Sequence, residues 1–192
     1  MINQSPPLQS PARETVLNPK DIVASFGLQR GDYVADFGCG HAYFAIPFAH
    51  AVAPEGKVYA IDIQRPMLDV VRASAKLQNL LNIEPLWADL EQPQGSKLKN
   101  DYVDFVFIGN LLFQVEQKEN IIKEAWRILR SEGRLALIEW TKEQQTSLGP
   151  PNELRMAKEN IINLCSDQFF TLDREFDAGS HHYGLLFIKK AA

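Results

Sequence analysis

The feature that most constrains the fold of this 192-residue chain is a regular alternation between strand-like and helix-like segments. Short runs rich in β-branched and aromatic residues alternate with longer segments whose apolar residues recur at helical spacing. One connection, residues 90–101, is polar and contains proline and glycine instead of a helical pattern. Such alternation is typical of a doubly wound α/β fold, in which right-handed crossovers join parallel strands. The predicted strands are 33–37, 57–63, 83–87, 103–108 and 134–140, and the predicted helices between them are 41–51, 66–79 and 117–130.

The two ends of the chain add further elements. Asn18 and Pro19 are typical of a helix start, and Gly27 is expected to end this first short helix. After the fifth strand, a helix is predicted over 152–164, followed by two strand-like runs that are joined by a turn and form an antiparallel hairpin. The two runs are 169–176 and 183–190, and the turn contains two histidines that we expect to be exposed, His181 and His182.

The turn after the first predicted strand is rich in small residues and carries one carboxylate. Gly38 and Gly40 allow the backbone to approach a ligand where a Cβ would clash, and the helix that follows directs its free N–H groups at the same place. Asp36 ends a buried strand, where a carboxylate is costly unless it is hydrogen-bonded or faces a polar group. A dinucleotide-binding fingerprint would place a third glycine at Tyr43, and a phenol there argues against a pyrophosphate site. Taken alone, the turn also fits an ordinary strand-to-helix connection.

Acidic and amide residues follow the other predicted strands. In a doubly wound sheet, ligands bind beyond the carboxyl ends of the strands, at the point where the strand order reverses. We therefore expect Asp62, Asp89 and Asn110 to lie near the glycine turn. Asp62 follows that turn by about 25 residues, a spacing at which an acidic residue accepts hydrogen bonds from ribose hydroxyls. Dinucleotide and methyl-donor cofactors both contain such a ribose, and the structural alternative for Asp62 is a helix-capping or solvent-facing carboxylate.

The turn Asp36–Gly40 resembles the first motif of class I S-adenosylmethionine-dependent methyltransferases. Residues 103–115 and 125–135 are similar to the fourth strand and to the helix-to-strand transition of the ubiquinone and menaquinone biosynthesis C-methyltransferases, a small-molecule branch of that class. The resemblance covers residues 20–190. It implies an α/β, Rossmann-like fold with a seven-stranded sheet of order 3-2-1-4-5-7-6 and a terminal antiparallel hairpin.

The chain departs from this branch at two places near the predicted site. Ala42 stands where glycine is common, and it slightly fills the turn. Phe113 and Gln114 stand where the branch often carries a histidine pair, so a histidine base is not available at that point.

The resemblance implies S-adenosylmethionine as the cofactor and S-adenosylhomocysteine as its product. Asp62 would hold the ribose, Asp89 and Leu90 the adenine, and the glycine turn with Asn110 the methionine end. Several of these residues also have ordinary alternatives, such as a loop acid for Asp89 and a helix core residue for Met67. The predicted cofactor-binding residues are Asp36, Phe37, Gly38, Cys39, Gly40, Asp62, Ile63, Met67, Ala88, Asp89, Leu90 and Asn110.

Candidate catalytic residues are few. Methyl transfer from a sulfonium is an in-line displacement that depends mainly on alignment, and a base is needed only if the acceptor loses a proton. His41 could face the methyl group, or it could cap its helix or face solvent. Glu139 and Glu143 flank the end of the fifth strand and are predicted at the pocket mouth, where either could bind or deprotonate an acceptor. Arg155 follows a Gly-Pro-Pro turn that resembles a loop over the acceptor pocket; it would hold an anionic acceptor, order that loop, or tie the loop to its helix.

Composition limits the partners and the compartment. The net charge is −4, so no long-range field attracts the chain to nucleic acid or to an anionic membrane. Cys39 and Cys165 form neither a disulfide framework nor a metal-ligand spacing, and the histidines suggest no metal site. No signal-peptide pattern or transmembrane run is present in the sequence. These features predict a cytoplasmic protein with a small-molecule substrate, without membrane insertion, and with a monomeric or homodimeric state.

The length of 192 residues fits one α/β domain. We predict a mobile N-terminal segment over 1–17, which could close over the site, and a single methyltransferase domain over 18–192. The predicted function is methylation of a small-molecule acceptor with S-adenosylmethionine. One alternative is a catalytically silent cofactor-binding partner or regulator with the same fold. A second is a nucleotide-cofactor oxidoreductase, which Tyr43 and the terminal hairpin disfavour.

Overall fold

A computed structural model of the protein describes residues 17–142 and 148–190. The strands in these residues are β1 (Tyr33–Phe37), β2 (Lys57–Asp62), β3 (Ile83–Trp87), β4 (Val103–Gly109), β5 (Leu129–Trp140), β6 (Phe170–Phe176) and β7 (His182–Lys189). The helices are α1 (Pro19–Ser25), α2 (Ala45–Val52), α3 (Arg65–Leu77), α4 (Lys118–Ile128) and α5 (Lys158–Asp167), with a short 3₁₀-helix at Leu112–Gln114. None of the helices in the described part of the chain is long and apolar enough to cross a membrane.

The strands form one sheet in the order β3-β2-β1-β4-β5-β7-β6. Strands β1 to β5 pair in parallel, whereas β7 is antiparallel to both of its neighbours, β5 and β6. The predicted doubly wound fold with a terminal antiparallel hairpin is therefore confirmed. The chain moves outward in one direction from β1 and in the other from β4, so the strand order reverses between these two strands. This reversal opens a crevice at their carboxyl ends.

Side chains of β1 alternate between two apolar cores. Ala35 and Phe37 are fully buried on the face that α4 and α5 cover, and Val34 is fully buried on the face that α1, α2 and α3 cover. Because successive side chains of a strand point to opposite faces, Asp36 lies on the same face as Val34. The carboxylate thus reaches the end of the sheet on the side of α1 and α2.

Phe105 lies at the centre of the second of these cores, with its ring centroid 5.0 Å from that of Phe26 and 5.9 Å from that of Phe48. We expect Phe105→Ala to lower the free energy of unfolding by about 3–5 kcal/mol, because it removes buried apolar area and leaves a cavity. Urea denaturation followed by circular dichroism measures the change. Leu81→Ala is the control, since Leu81 is 99% exposed and its truncation should change stability by less than about 0.5 kcal/mol. Equal destabilisation by both substitutions would contradict this assignment of the core.

Helix α1 begins as predicted. The Asn18 side-chain oxygen accepts a hydrogen bond from the Lys20 N–H at 3.1 Å, and Pro19 occupies the first turn. Ile22 and Val23 bury the inner face of this helix in the core. Its start therefore lies against the crevice between β1 and β4.

Three elements start four to six residues away from their predicted starts. Helix α2 starts at Ala45 instead of residue 41, because Ala42 has a left-handed backbone (φ 64°) that an α-helix cannot include. Helix α5 starts at Lys158 instead of residue 152, because tight turns occupy the preceding residues. Strand β5 starts at Leu129 and includes residues that were predicted to end helix α4.

Candidate functional site

Two adjoining cavities open at the carboxyl ends of the central strands. The first has a volume of about 410 Å³ and the second a volume of about 470 Å³. Because they share part of their walls, a molecule in one cavity can contact a molecule in the other. No lysine or arginine of residues 17–142 or 148–190 lines either cavity. The shared residues are Gly38, Gly40, His41 and Gln114.

The first cavity extends from the glycine turn across the ends of β2 and β3. Most of the predicted cofactor-binding residues line it, which confirms that the three strand ends converge at one place. These residues are Gly38, Gly40, Asp62, Ile63, Met67, Ala88, Asp89 and Leu90.

The glycine turn is held by one carbonyl group of β2. The N–H groups of Gly38 and Cys39 both donate to Ile61 O, at 2.8 and 3.1 Å. The backbone is left-handed at Gly38 (φ 70°), and a Cβ at this position would lie only 3.0 Å from Leu111 Cδ1. Glycine at this position therefore allows the segment that follows β4 to lie directly against the turn.

Asp36 is a buried carboxylate that lines the second cavity. Its Oδ2 atom has no hydrogen-bond partner among the described residues. Burial raises the pKa of Asp36 to about 8, and the negative charge of Asp62 adds to the shift. A cationic group in the second cavity would supply the missing partner and stabilise the charged carboxylate.

Asp62 is buried at the end of β2, where it connects two turns. Its Oδ2 accepts a hydrogen bond from the Gly40 N–H at 3.0 Å, and its Oδ1 accepts one from the Gln64 N–H at 2.8 Å. A carboxylate has about four lone-pair directions, so both oxygens keep the capacity to accept further hydrogen bonds. This arrangement can hold two neighbouring hydroxyl groups of a ligand in the first cavity.

Asp89 both shapes its own loop and lines the first cavity. Its Oδ1 accepts a hydrogen bond from the Glu91 N–H at 3.0 Å, and its Oδ2 accepts one from Gln92 Nε2 at 3.3 Å. Asp89 is therefore a loop acid, as in the structural alternative, and it also lies beside the space for a ligand. Ala88 and Leu90 are buried next to it and add an apolar surface.

The second cavity lies between α1, the turn before α2, and β4. Besides Asp36 and the shared Gly38 and Gly40, two more of the predicted cofactor-binding residues line it, Cys39 and Asn110. Burial, with smaller contributions from the two nearby carboxylates, raises the pKa of the Cys39 thiol, which keeps it neutral at physiological pH. Most of the remaining wall is apolar or aromatic and consists of Leu17, Pro19, Tyr43, Phe44 and Phe107. Of these residues, only Leu17, in the predicted N-terminal segment, was expected near the site.

Asn110 connects the second cavity to the terminal hairpin. It has a left-handed backbone (φ 52°), and its Nδ2 lies 3.2 Å from Nε2 of His182. The prediction that His182 is an exposed turn residue is wrong, because it starts β7 and its ring centroid lies 4.1 Å from that of Trp140. Burial lowers the pKa of His182 to about 4, with smaller effects from the charges of His181 and Arg155, so the imidazole is neutral at pH 7.

Three predicted residues lie outside both cavities. The Phe37 side chain is fully buried in the core below the sheet, which contradicts its predicted contact with a ligand. Glu139 is also fully buried and is not at the pocket mouth; its Oε1 accepts a hydrogen bond from the Leu112 N–H at 2.7 Å. Arg155 is buried and donates to three carbonyl groups of its own loop. This is the structural role that was the alternative to binding an acceptor. The three carbonyl groups are Pro150 O (3.0 Å), Thr141 O (3.1 Å) and Leu148 O (2.6 Å).

Two other predictions concern residues that the structure does not describe or describes only in part. Glu143 and residues 1–16 lie outside the described residues. Leu17, the last residue of the predicted N-terminal segment, lines the second cavity. The described residues 148–155 of the loop after β5 line neither cavity. Among the described residues there is no group of three or more His, Cys, Asp or Glu side chains that could hold a metal ion.

Gln114 is a site residue that sequence reasoning missed. It lines both cavities, and its Nε2 donates to Asn110 O at 2.6 Å. The prediction considered this position only as one where a histidine is absent. Its place directly after β4, beside the reversal in strand order, was the signal that would have identified it.

The chain is similar to a known protein family and to curated relatives. A family model described as a methyltransferase domain matches residues 34–133. The demethylmenaquinone methyltransferase of Geobacillus stearothermophilus is 31% identical over 120 residues, which are 62% of this chain and 50% of that protein. The chain thus spans about half the length of the curated relatives it matches.

Solved structures show the same relationship over a larger part of the chain. A SAM-dependent methyltransferase from Aquifex aeolicus has a TM-score of 0.82 and 26% identity, and the match covers 94% of each chain. The cyclase SpnF has a TM-score of 0.76 at 15% identity, over 90% of this chain and 80% of that one, and this likeness shows the fold alone.

The geometry and the comparisons agree. The acidic strand ends converge on one cavity, the sheet has the order that the resemblance implied, and the family model covers more than half of the chain. The predicted resemblance is therefore confirmed. The chain belongs to the methyltransferase domain family, and within it to the class I S-adenosylmethionine-dependent methyltransferases.

Proposed function

We propose that this protein transfers the methyl group of S-adenosylmethionine to a small-molecule acceptor that binds in the second cavity. The observation that carries the proposal is the shared wall of the two cavities. A cofactor in the first cavity and an acceptor in the second would meet at Gly38, Gly40, His41 and Gln114. The cofactor supplies a methyl group on a positively charged sulfur, and the protein has to align the acceptor with it.

The proposed cofactor contacts follow from the positions of the acids. Asp62 accepts hydrogen bonds from the ribose hydroxyls, since its oxygens keep free lone pairs beside the first cavity. Asp89 accepts from the adenine amino group, and Ala88, Leu90 and Ile63 line the space for the ring. Met67 adds to the same apolar surface.

Because Asp36 lines the second cavity, we propose that the methionine end of the cofactor extends from the first cavity into the second, where Asp36 is the counter-ion of its ammonium group. Its unpartnered buried oxygen needs a cationic or hydrogen-bond-donating group, and the methionine end of the cofactor carries one. The glycine turn and Asn110 line the same cavity. The Asn110 N–H donates to Ile138 O and its carbonyl accepts from Gln114, so we assign the role of Asn110 to its side chain, whose Oδ1 has no hydrogen-bond partner among the described residues.

The acceptor is proposed to be uncharged or cationic and to contain an apolar ring. Tyr43, Phe44 and Phe107 line the second cavity, and no described cation is present there to bind an anion. A volume of about 470 Å³ suits a small molecule or one end of a longer one. The relatives named for demethylmenaquinone support an acceptor of this kind.

His41 is the proposed base if the acceptor has to lose a proton. It lies at the shared wall, and its side chain is exposed. Glu139 and Arg155, which line neither cavity, are not proposed as catalytic residues. Gln114 cannot ionise, and it is proposed to orient the acceptor through its amide group.

A catalytically silent cofactor-binding protein is the second candidate function. The observation in its favour is that the cyclase SpnF shares the fold, so a protein with this fold need not transfer methyl groups. An oxidoreductase is disfavoured because the cavities offer no described cation to a pyrophosphate, and because Tyr43 occupies the place of the third fingerprint glycine.

Calorimetry with S-adenosylhomocysteine and with NAD tests the cofactor assignment. We expect S-adenosylhomocysteine to bind with a Kd in the micromolar range and NAD to give no measurable heat, because the acidic cavities lack a site for two phosphates. Binding of NAD without binding of the thioether would refute the proposal. Incubation with methyl-labelled S-adenosylmethionine and a panel of neutral aromatic acceptors then separates an enzyme from a silent binding protein.

We also propose a cytoplasmic location, which the free and buried thiols of Cys39 and Cys165 support. The absence of nucleic-acid binding, the monomeric or homodimeric state, and the division into residues 1–17 and 18–192 stay predictions.

A further inference from the structure

Glu139 is a buried carboxylate that contacts neither cavity. It follows Leu135 and Leu137 on the sheet face that α4 and α5 cover, which is opposite to the face of Asp36. Its Oε2 atom has no hydrogen-bond partner among the described residues. A buried carboxylate with one unpartnered oxygen destabilises the fold. The contacts of its other oxygen, Oε1, indicate what this carboxylate does.

The partner of Glu139 is the backbone of the wall segment, which we define as residues 110–115. Glu139 Oε1 accepts a hydrogen bond from the Leu112 N–H at 2.7 Å, and the Leu111 N–H also stabilises the carboxylate. The preceding residue of β5, Ile138, accepts a hydrogen bond from the Asn110 N–H at 2.8 Å. Two consecutive residues of β5 therefore hold the first three residues of the wall segment.

The wall segment forms part of both cavities. Leu111 and Val115 line the first cavity, Asn110 lines the second, and Gln114 lines both. The close approach of Leu111 Cδ1 to Gly38 leaves little space between the segment and the glycine turn. A displacement of the segment would therefore change the cofactor cavity directly.

Burial and the N–H groups of the wall segment have opposite effects on the charge of Glu139. Burial raises the pKa of Glu139 to about 7, while the N–H groups of Leu112 and Leu111 act in the opposite direction. These N–H groups therefore favour the charged carboxylate, which is also the form that accepts the stronger hydrogen bonds.

We propose that Glu139 is a positioning residue for the cofactor, because its carboxylate fixes the wall segment against the end of β5 and so sets the shape of the first cavity. Glu139 touches neither cofactor nor acceptor. This inference rests on the proposed placement of S-adenosylmethionine in the first cavity. It predicts that a side chain of similar shape with an acceptor oxygen can replace Glu139, whereas an apolar side chain of similar size cannot.

Two substitutions and two measurements test the inference. Glu139→Leu should speed hydrogen exchange of the Leu111 and Leu112 amides at least 10-fold in the free protein, and it should weaken binding of S-adenosylhomocysteine at least 5-fold. Glu139→Gln keeps one acceptor oxygen, so exchange and affinity should both stay within about 2-fold of the wild type. If Glu139→Leu does not fold, Glu139→Ala, which leaves space for water, takes its place.

Glu124→Leu is the matched control. Glu124 is likewise a buried carboxylate, but it accepts hydrogen bonds from Ser96 and Arg127 and lines neither cavity. Its loss should lower stability without changing the affinity for S-adenosylhomocysteine. If Glu139→Leu kept wild-type hydrogen-exchange rates at Leu111 and Leu112, or wild-type affinity for S-adenosylhomocysteine, this inference would be overturned. The proposed function would be unaffected. A wild type that does not bind S-adenosylhomocysteine would overturn the proposed function and this inference with it.

Discussion

Asp36→Asn is expected to stabilise the protein at pH 8 while it weakens binding of S-adenosylhomocysteine. The buried Asp36 carboxyl has a pKa of about 8 in the folded protein, against an ordinary value of 3.8. Between these two values, the folded state holds a proton that the unfolded state releases, so the stability of the wild type falls as the pH rises from about 4 to about 8. Asparagine does not titrate, and it removes this loss.

The expected difference follows from the size of the pKa shift. One pKa unit corresponds to about 1.4 kcal/mol, and the unpartnered amide group of the variant offsets part of the gain, so we expect Asp36→Asn to be about 2–5 kcal/mol more stable at pH 8. Near pH 4 this gain is absent, and the unpartnered amide should leave the variant slightly less stable than the wild type. Urea denaturation at pH 5, 6.5 and 8 measures the trend, and a difference that does not change with pH would refute the assigned cause.

Although Asp36→Asn should stabilise the protein at pH 8, it should weaken the binding of S-adenosylhomocysteine. A hydrogen bond to a charged group contributes about 1.5–3 kcal/mol, so loss of the Asp36 charge should raise the Kd for S-adenosylhomocysteine about 10- to 100-fold. Asp69→Asn is the control, because this carboxylate is exposed and pairs with Arg72 on the surface. Its Kd and its stability should stay at wild-type values. An unchanged Kd in Asp36→Asn would remove Asp36 from the cofactor site.

The acids that line the cavities could be predicted from the sequence, because their positions depend on topology. Asp36 and Asp62 lie at the ends of β1 and β2, Asp89 follows β3, and parallel strands bring their carboxyl ends to the same edge of the sheet. The strand order itself came from the resemblance and not from periodicity. Once that order is known, these acids have to meet.

Glu139 shows where this reasoning stops. It also ends a parallel strand, yet its side chain points to the opposite face from Asp36, so it contacts the wall segment from behind. The alternation along β5 indicates that Glu139 shares a face with Leu135 and Leu137, but it does not indicate which helices cover that face. Only the three-dimensional packing decides between a cavity residue and a positioning residue.

Local backbone conformation could not be predicted from the sequence patterns either. Ala42 adopts a left-handed conformation that alanine rarely takes, and this delays the start of α2. Asn110 adopts the same conformation, which directs the chain away from β4 and into the wall segment. His182 was assigned to a turn because the pairing of β7 with β5, opposite Trp140, depends on a register that the sequence does not show.

Asp62→Ala is expected to cause the largest loss of cofactor affinity. The substitution removes the proposed acceptor of two ribose hydrogen bonds, and it also removes the contacts that hold Gly40 and Gln64. Two hydrogen bonds to a charged group correspond to an increase of about 100-fold or more in the Kd for S-adenosylhomocysteine, measured by calorimetry. Asp62→Asn keeps one acceptor oxygen, and its loss should be smaller.

The two effects of Asp62 can be separated with a ligand that lacks the ribose hydroxyls. A 2′,3′-dideoxy analogue of S-adenosylhomocysteine should bind weakly to the wild type, and Asp62→Ala should weaken it little further, because the partner groups are already absent. Asp32→Ala is the matched control, since Asp32 also accepts a backbone N–H, that of Gln29 at 2.8 Å, but faces neither cavity. It should bind both ligands like the wild type. If Asp62→Ala weakens the analogue as much as it weakens S-adenosylhomocysteine, Asp62 acts through the turns alone, because a carboxylate that binds ribose must lose that function when the hydroxyls are gone.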